Sequence, residues 1–340
     1  MAHWRETFRV YTGDDIVQVV KCQIMPVELQ NRLPLLRRIA GYVLAALVLF
    51  FLGRLLFQNQ TELAAQNISF QIDWGLLAVS LVLQVIGLSL SVETWRRLLE
   101  EMDGRISFRN AFRIWWFSNL TRYIPGNIWQ PATMAVLGER EGVPKSKTIL
   151  SQTFFILLTL ALAGVLSISL VPIAAETKTW LMLVCAAAIL FFAMPPVFRF
   201  VLTIIARILR YEPAQTTSSF LRGLLPLIVA DLMWLAYGLS FYFFVRALGI
   251  SGEPTWTTAV PLYAGAYLIG YISFLTPSGL GIREGAIAFF LGAYVPSSVA
   301  VAVALLARLM AIAGEMVCVG IAWLSTRMQA NQPQKNTETH

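Results

Sequence analysis

The apolar sequence is interrupted at Arg122-Tyr123-Ile124-Pro125-Gly126 and at Pro277-Ser278-Gly279-Leu280-Gly281-Ile282-Arg283-Glu284-Gly285, which we call the first turn and the second turn. Each turn is followed by a Val-Pro pair whose proline lies nineteen positions after the first proline of the turn. Broken backbone and ionised side chains are tolerated at membrane depth only where protein or a wet cavity solvates them. The two turns are therefore the strongest candidates for a functional site.

The composition around these turns is that of a membrane protein. The 340 residues are 57% hydrophobic and only 13% charged, with a mean hydropathy of +0.66. A soluble domain carries about 25% charged residues, and a membrane-spanning helix needs roughly 20 apolar ones. Six runs meet that length and predict full spans: 39–57, 74–92, 148–171, 179–198, 223–245 and 297–325.

Two further apolar regions contain the turns and are too short to cross the membrane twice. The arms 108–121 and 125–138 flank the first turn, while 257–275 and 285–295 flank the second. An arm of 14 residues measures roughly 21 Å as a helix, against a hydrocarbon core of roughly 30 Å. The pattern predicts an all-α polytopic bundle of about six spans and two re-entrant helical hairpins. An eight-span bundle with Pro and Gly kinks is the alternative.

Both halves follow the same order of span, broken hairpin, Val-Pro pair and span. One span lies between the two units, so their orientations in the membrane are predicted to be opposite. Inverted repeats whose discontinuous helices meet near the midplane are typical of transporters. The repeat rests on this architecture, because few residues are identical between the halves.

The formal net charge of +7 is unevenly distributed. Most Lys and Arg residues fall in segments on one predicted side, which predicts that both termini are cytoplasmic. The expected location is the inner (plasma) membrane. The predicted units are a basic tail at 1–38, a membrane domain at 39–325 and a short tail at 326–340. No cleavable signal peptide is expected, and Met25 is a candidate start.

Six ionisable side chains fall at predicted membrane depth, and each costs roughly 2.5–3.5 kcal/mol if left unpaired at a helix centre. Three are basic and three acidic: Arg122, Asp231, Arg283, Glu284, Arg308 and Glu315. Mutual pairing would neutralise them. Because Arg308 and Glu315 are seven positions apart, they share a helix face and each can meet a different neighbour, for example Glu284 and Arg283.

The functional interpretation of these residues is an anion site. A guanidinium group matches phosphate geometry and stays charged, and a helix starting at a turn directs N–H groups toward an anion. Glycines in the second turn (Gly279, Gly281, Gly285) would allow close backbone approach or positive φ. The candidate substrate-binding residues are Arg122, Tyr123, Pro125, Gly126, Pro277, Gly279, Gly281, Arg283, Glu284 and Arg308, with Asp231 and Glu315 as charge partners. The alternative is a set of salt bridges that stabilise the fold.

Tryptophans near the first turn, Trp115, Trp116 and Trp129, are expected to form an interfacial aromatic belt, or alternatively to line a lipid path. The only histidines are His3 and His340, and no glycine-rich phosphate loop occurs. We therefore expect no enzymatic activity, metal, cofactor or ATP-driven pumping, and no nucleic-acid binding. A transferase acting on lipid phosphate within the membrane is a minor alternative.

The two turns, together with an arginine in the last helix, resemble the transmembrane region of lysylphosphatidylglycerol synthases over about residues 39–325. The resemblance implies an integral membrane domain that moves lipids or lipid-linked intermediates between leaflets. In the synthases this domain precedes an aminoacyl-transferase domain, and other relatives accompany glycosyltransferases. This chain ends at His340, and Asn127-Ile128-Trp129-Gln130 departs from the more glycine-rich pattern of the synthases.

Both departures count against lysylphosphatidylglycerol as the substrate. The sequence therefore predicts a translocator of an anionic phospholipid or a polyprenyl-linked intermediate. A non-transporting accessory subunit of a membrane glycosyltransferase or lipid synthase is the alternative.

Overall fold

The computed structural model describes residues 54, 71–123, 129–192, 194–208, 211, 220–250, 252–272 and 281–330. Within these ranges the chain forms ten α-helices and two short 3-10 helices, with no strand. The predicted all-α polytopic bundle is confirmed. The predicted span 39–57 and the residues 124–128 and 273–280 of the two turn regions lie outside the described residues.

Along the described part of the chain, the ten helices are α1 (Trp74–Glu101), α2 (Phe108–Asn119), α3 (Trp129–Arg140), α4 (Lys145–Ser167), α5 (Ala175–Phe192), α6 (Pro195–Ile208), α7 (Phe220–Ala247), α8 (Trp256–Ile272), α9 (Ile282–Leu291) and α10 (Ser297–Ala330). The 3-10 helices are Leu120–Tyr123, which continues α2, and Ile168–Leu170, which continues α4.

Four described helices are long and apolar enough to cross a membrane. They coincide with four of the six predicted spans: Trp74–Glu101, Lys145–Leu170, Arg222–Ala247 and Ser297–Arg327. α1 packs along α7, and α10 packs against α1, α2 and α9. Trp95, Trp116 and Trp234 are among the largest fully buried side chains at the centre of this packing.

The predicted span 179–198 is wrong as a single helix. α5 ends at Phe192 and α6 begins at Pro195, so the apolar run contains a break. Proline lacks an N–H and clashes with the preceding turn inside a helix, but it is tolerated in the first turn. Pro195 and Pro196 therefore begin a new helix, a signal that hydropathy alone does not reveal.

Both predicted hairpins are pairs of short helices. The first hairpin consists of α2 and α3, of 12 residues each, and the second of α8 and α9, of 17 and 10 residues. At 1.5 Å per residue, helices of 10 to 12 residues are roughly 15–18 Å long and cannot cross a hydrocarbon core of roughly 30 Å. The order of long helix, broken hairpin and long helix occurs twice, as α1 to α4 and as α7 to α10. The opposite membrane orientation of the two units stays a prediction.

Local capping fixes where α1 begins. The Asp73 carboxylate accepts hydrogen bonds from the backbone N–H groups of Gly75 and Leu76, at 2.8 and 3.1 Å. These contacts satisfy helix-terminal N–H groups that have no partner within the helix. The Asp73 N–H donates to the Ala247 carbonyl at 2.8 Å, which ties the start of α1 to the end of α7.

Candidate functional site

A cavity of about 160 Å³ lies between the two hairpins and the long helices. The first hairpin region contributes Arg122 and Trp129 to its wall, and the second contributes Tyr267 and Arg283. The space is large enough for several water molecules, since one needs roughly 10–15 Å³. The two hairpins thus converge on one site, although they are about 150 residues apart in sequence.

The last helix supplies one charged partner to each hairpin. Arg122 Nη2 lies 2.6 Å from Glu315 Oε1, and Arg308 Nε lies 3.6 Å from Glu284 Oε1. Arg308 and Glu315 both belong to α10 and are two turns apart on one face. The structure thus pairs Arg308 with Glu284, one of the two neighbours given as examples in the sequence analysis. Glu315 pairs with Arg122 and not with Arg283, the other example.

Arg283 is held by aromatic faces. Its guanidinium carbon lies 4.7 Å from the ring centre of Tyr263 and 5.3 Å from that of Tyr267, both on α8. Among the described residues no ion pair includes Arg283, since Glu315 pairs with Arg122 and Glu284 with Arg308. Cation–π contacts stabilise the charge without neutralising it.

A glycine lets α8 and α9 approach closely at this arginine. A Cβ atom at Gly270 would lie 2.7 Å from Arg283 Cβ and 3.3 Å from its Cα. Real Cβ atoms do not approach so closely, so only glycine permits this crossing. Gly270 was missed in the sequence because nothing distinguishes it from other glycines in apolar helices.

Gly281 and Glu284 form the start of α9. Gly281 has φ of +85°, in the left-handed region that favours glycine, as the turn pattern predicted. Its N–H donates to Glu284 Oε2 at 2.7 Å, so this N–H is already occupied at the helix start where an anion was expected. Gly285, in contrast, has no positive φ, and no atom of the described residues lies within 4 Å of a Cβ built on it.

The tryptophans of the first hairpin correct another expectation. Trp115 and Trp116 are 6% and 1% exposed and line the cavity, so they do not form an interfacial belt. Trp115 packs edge-on against Phe155 of α4, with ring centres 4.9 Å apart. The prediction failed because α2 is enclosed by α1, α3 and α10 and does not face lipid. Trp129 also lines the cavity.

Uncharged polar side chains complete the wall and were not predicted. Gln84, Asn119 and Gln152 are all at least 95% buried and line the cavity from α1, α2 and α4. Each lies inside or beside an apolar run, where a lone amide gives no periodic signal. Only the tertiary packing shows that these amides face one space.

Two groups of predicted site residues remain outside this cluster. Asp231 lies on the exposed face of α7 and does not line the cavity, so the structure does not join it to the other charges. The second group lies outside what the structure describes: the side chain of Tyr123, and the residues Pro125, Gly126, Pro277 and Gly279.

A search of protein families matches residues 38–316 to the family described as "Lysylphosphatidylglycerol synthase TM region". The chain belongs to this family. The matched range agrees with the resemblance seen in the two turns, and it associates this membrane protein with lipid-related processes. No individual curated protein matches the chain significantly.

Proposed function

We propose that this protein moves an anionic lipid or lipid-linked intermediate between the two leaflets of the inner membrane. The head group passes through the cavity between the hairpins, while the acyl or prenyl chains remain in the bilayer. The observation that carries this proposal is Arg283, whose charge faces tyrosine rings within a cavity to which both hairpins contribute.

The charge balance of the cavity supports an anionic substrate. Arg122 and Arg308 each have a glutamate at ion-pair distance, whereas no described carboxylate pairs with Arg283. The remaining residues of the two turn regions, 124–128 and 273–280, contain no ionisable side chain. A phosphate group entering the cavity would therefore meet one uncompensated guanidinium, which binds phosphate through its planar set of donors.

The same arrangement lowers the barrier to crossing. An isolated phosphate loses its hydration in hydrocarbon, and a fixed cation in a wet cavity replaces part of that solvation. Since no ATP-binding motif occurs in the sequence, movement is proposed to follow the lipid gradient. Both termini are proposed to be cytoplasmic, so that the first hairpin enters from the cytoplasm and the second from the opposite side.

Reconstitution of the full chain tests this function. Vesicles would contain phosphatidylglycerol labelled with a fluorophore on one acyl chain, and dithionite would quench only the outer leaflet. We expect the wild type to make the inner-leaflet label accessible. Arg283→Gln should slow this movement at least about tenfold, as expected when a charge-assisted hydrogen bond is lost.

Thr203→Val is the matched control, since Thr203 lies on α6, away from the residues that line the cavity, and its hydroxyl donates to the Arg199 carbonyl of its own helix, at 2.8 Å. This variant should move lipid at the wild-type rate. Equal rates for wild type, Arg283→Gln and empty vesicles would contradict the proposal.

One observation favours a second function, that of an accessory subunit. Asp231 is exposed on α7, nine positions after Arg222, where the candidate span begins. A carboxylate facing lipid at that depth is costly, and a membrane partner with a basic or hydroxyl side chain would relieve the cost. The partner proposed is a membrane glycosyltransferase or lipid synthase. Purification from native membranes tests this: a partner lost on Asp231→Leu would support it, and a monomer would contradict it.

A further inference from the structure

Two buried polar atoms in the cavity wall have complementary hydrogen-bonding needs. Trp116 Nε1, a donor, and Gln152 Oε1, an acceptor, have no hydrogen-bond partner within the described part of the chain. Their side chains are only 1% and 4% exposed. Buried polar groups are nearly always hydrogen-bonded, so these two atoms are candidates to bind a molecule that enters the cavity.

The chemistry of these atoms restricts what that occupant can be. Indole N–H only donates, and an amide oxygen only accepts. A carboxylate or phosphate oxygen would satisfy Trp116 but not Gln152, whereas an ammonium group would satisfy Gln152 but not Trp116. A hydroxyl group both donates and accepts, so hydroxyl-bearing groups satisfy both atoms.

The rest of the wall fits the same chemistry. Its aromatic side chains include Trp234, whose N–H already donates to the Thr159 carbonyl at 3.2 Å and whose ring therefore serves as an apolar surface. The amides of Gln84 and Asn119 add further uncharged polar groups. Aromatic faces and neutral hydrogen-bonding groups in the same wall match a sugar or polyol ring, which has C–H faces and hydroxyl edges.

We propose that the head group recognised here is a hydroxyl-rich, uncharged sugar or polyol joined to the lipid through one phosphodiester. The phosphodiester carries the single negative charge that Arg283 compensates, and the hydroxyls bind Trp116 and Gln152. This inference rests on the proposed function, because it assigns the substrate class of the same cavity.

Three lipids with identical labelled acyl chains test the proposal in vesicles containing the full chain. Phosphatidylinositol carries a ring of hydroxyls, phosphatidylmethanol has the same charge without hydroxyls, and phosphatidylserine adds an ammonium and a carboxylate. Because phosphatidylinositol can form two hydrogen bonds that phosphatidylmethanol cannot, we expect it to move about tenfold faster. The ammonium and carboxylate of phosphatidylserine can also reach Gln152 and Trp116, but both charged groups must first lose their hydration, so we expect this lipid to move more slowly than phosphatidylinositol. Movement as fast as that of phosphatidylinositol would overturn the assignment to hydroxyl groups.

Conservative variants separate recognition from folding. Trp116→Phe removes only the N–H and the second ring, and Gln152→Met removes the amide at similar size. In either variant the rate ratio of phosphatidylinositol to phosphatidylmethanol should fall toward one. Thr153→Val is the control on the same helix, because the Thr153 hydroxyl donates to the Ile149 carbonyl of its own helix, at 2.9 Å, and Thr153 is not among the described residues that line the cavity. It should keep the wild-type ratio.

The outcomes distinguish this inference from the proposed function. If wild-type protein moves phosphatidylinositol and phosphatidylmethanol equally fast, the cavity holds ordered water at these atoms and the head-group assignment is wrong, while translocation stands. A ratio unchanged in both Trp116→Phe and Gln152→Met also overturns the assignment. If no lipid moves, the proposed function fails. Native mass spectrometry of the purified chain with each lipid then tests head-group preference alone, and equal binding of the two would overturn it.

Discussion

The first hairpin and the second hairpin are tied to α10 by ion pairs of opposite polarity. The first hairpin region provides the cation, Arg122, to a glutamate of α10, whereas the second provides the anion, Glu284, to an arginine of α10. The environments also differ. The Arg122 side chain is 30% exposed, while the Arg308 and Glu284 side chains are 4% and 8% exposed.

This difference assigns different mechanical roles to the hairpins. Water or a ligand head group can reach the Arg122 pair through the cavity and replace its contact at modest cost, as at other accessible ion pairs. The buried Glu284–Arg308 pair cannot open without exposing two charges to a poorly solvating interior. We therefore expect the second hairpin to be the more rigid wall that holds Arg283, and the first hairpin to be the one that moves more easily.

The largest effect is expected from breaking the buried pair. Arg308→Met leaves the Glu284 carboxylate buried without this cation, and it should reduce stability by about 3–5 kcal/mol. Thermal unfolding of the purified chain in detergent, followed by tryptophan fluorescence, measures the change. The double variant Arg308→Met with Glu284→Gln should recover part of the loss, because the buried Glu284 charge is removed together with its partner. If Arg308→Met alone is as stable as wild type, the buried pair does not fix the second hairpin more firmly than the first.

The next effect concerns the contact that positions Arg283. Gly270→Ala places a Cβ 2.7 Å from Arg283 Cβ, so α8 and α9 must separate; such overpacking costs about 1–3 kcal/mol. We also expect slower lipid movement in the vesicle assay, since the guanidinium shifts from its tyrosines. Gly285→Ala is the control within the same hairpin, because its Cβ meets nothing within 4 Å. Alanine there should be neutral or stabilising by about 0.5–1 kcal/mol. Equal stability and equal lipid movement in Gly270→Ala and Gly285→Ala would show that the close approach of α8 and α9 affects neither property.

A smaller effect on stability is expected in the first hairpin. Arg122→Gln removes a cation whose side chain is 30% exposed from Glu315, whose side chain is 10% exposed. The cost should be about 1–2 kcal/mol, above that of an accessible ion pair and below that of a pair buried on both sides. Unfolding in the same detergent gives the comparison with Arg308→Met. Adding Glu315→Gln should restore the stability, since it removes the carboxylate left behind. A loss as large as that of Arg308→Met would mean that both hairpins are fixed.

The sequence predicts the helices and the two hairpins better than the contacts between them. Hydropathy and proline positions were sufficient to predict the four long helices and the two pairs of short helices. The spacing of seven between Arg308 and Glu315 predicted their common face, because helix periodicity is local. The partners across helices depend on packing, so the choice of Arg122 over Arg283 by Glu315 was not predictable. The same holds for the inward orientation of Trp116 and Gln152, which no local pattern encodes.

The smallest effect is expected outside both hairpins, at Asp231. Its carboxylate lies on the exposed face of α7 and takes no part in the cavity, so Asp231→Leu should leave lipid movement by the purified chain within about twofold of wild type. Its stability in detergent should not fall, because no described contact is lost. If this variant instead abolishes movement in vesicles, lipid head groups travel along the outer face of α7. The unequal burial of the two ion pairs would then not govern transport, since neither pair lies on that route.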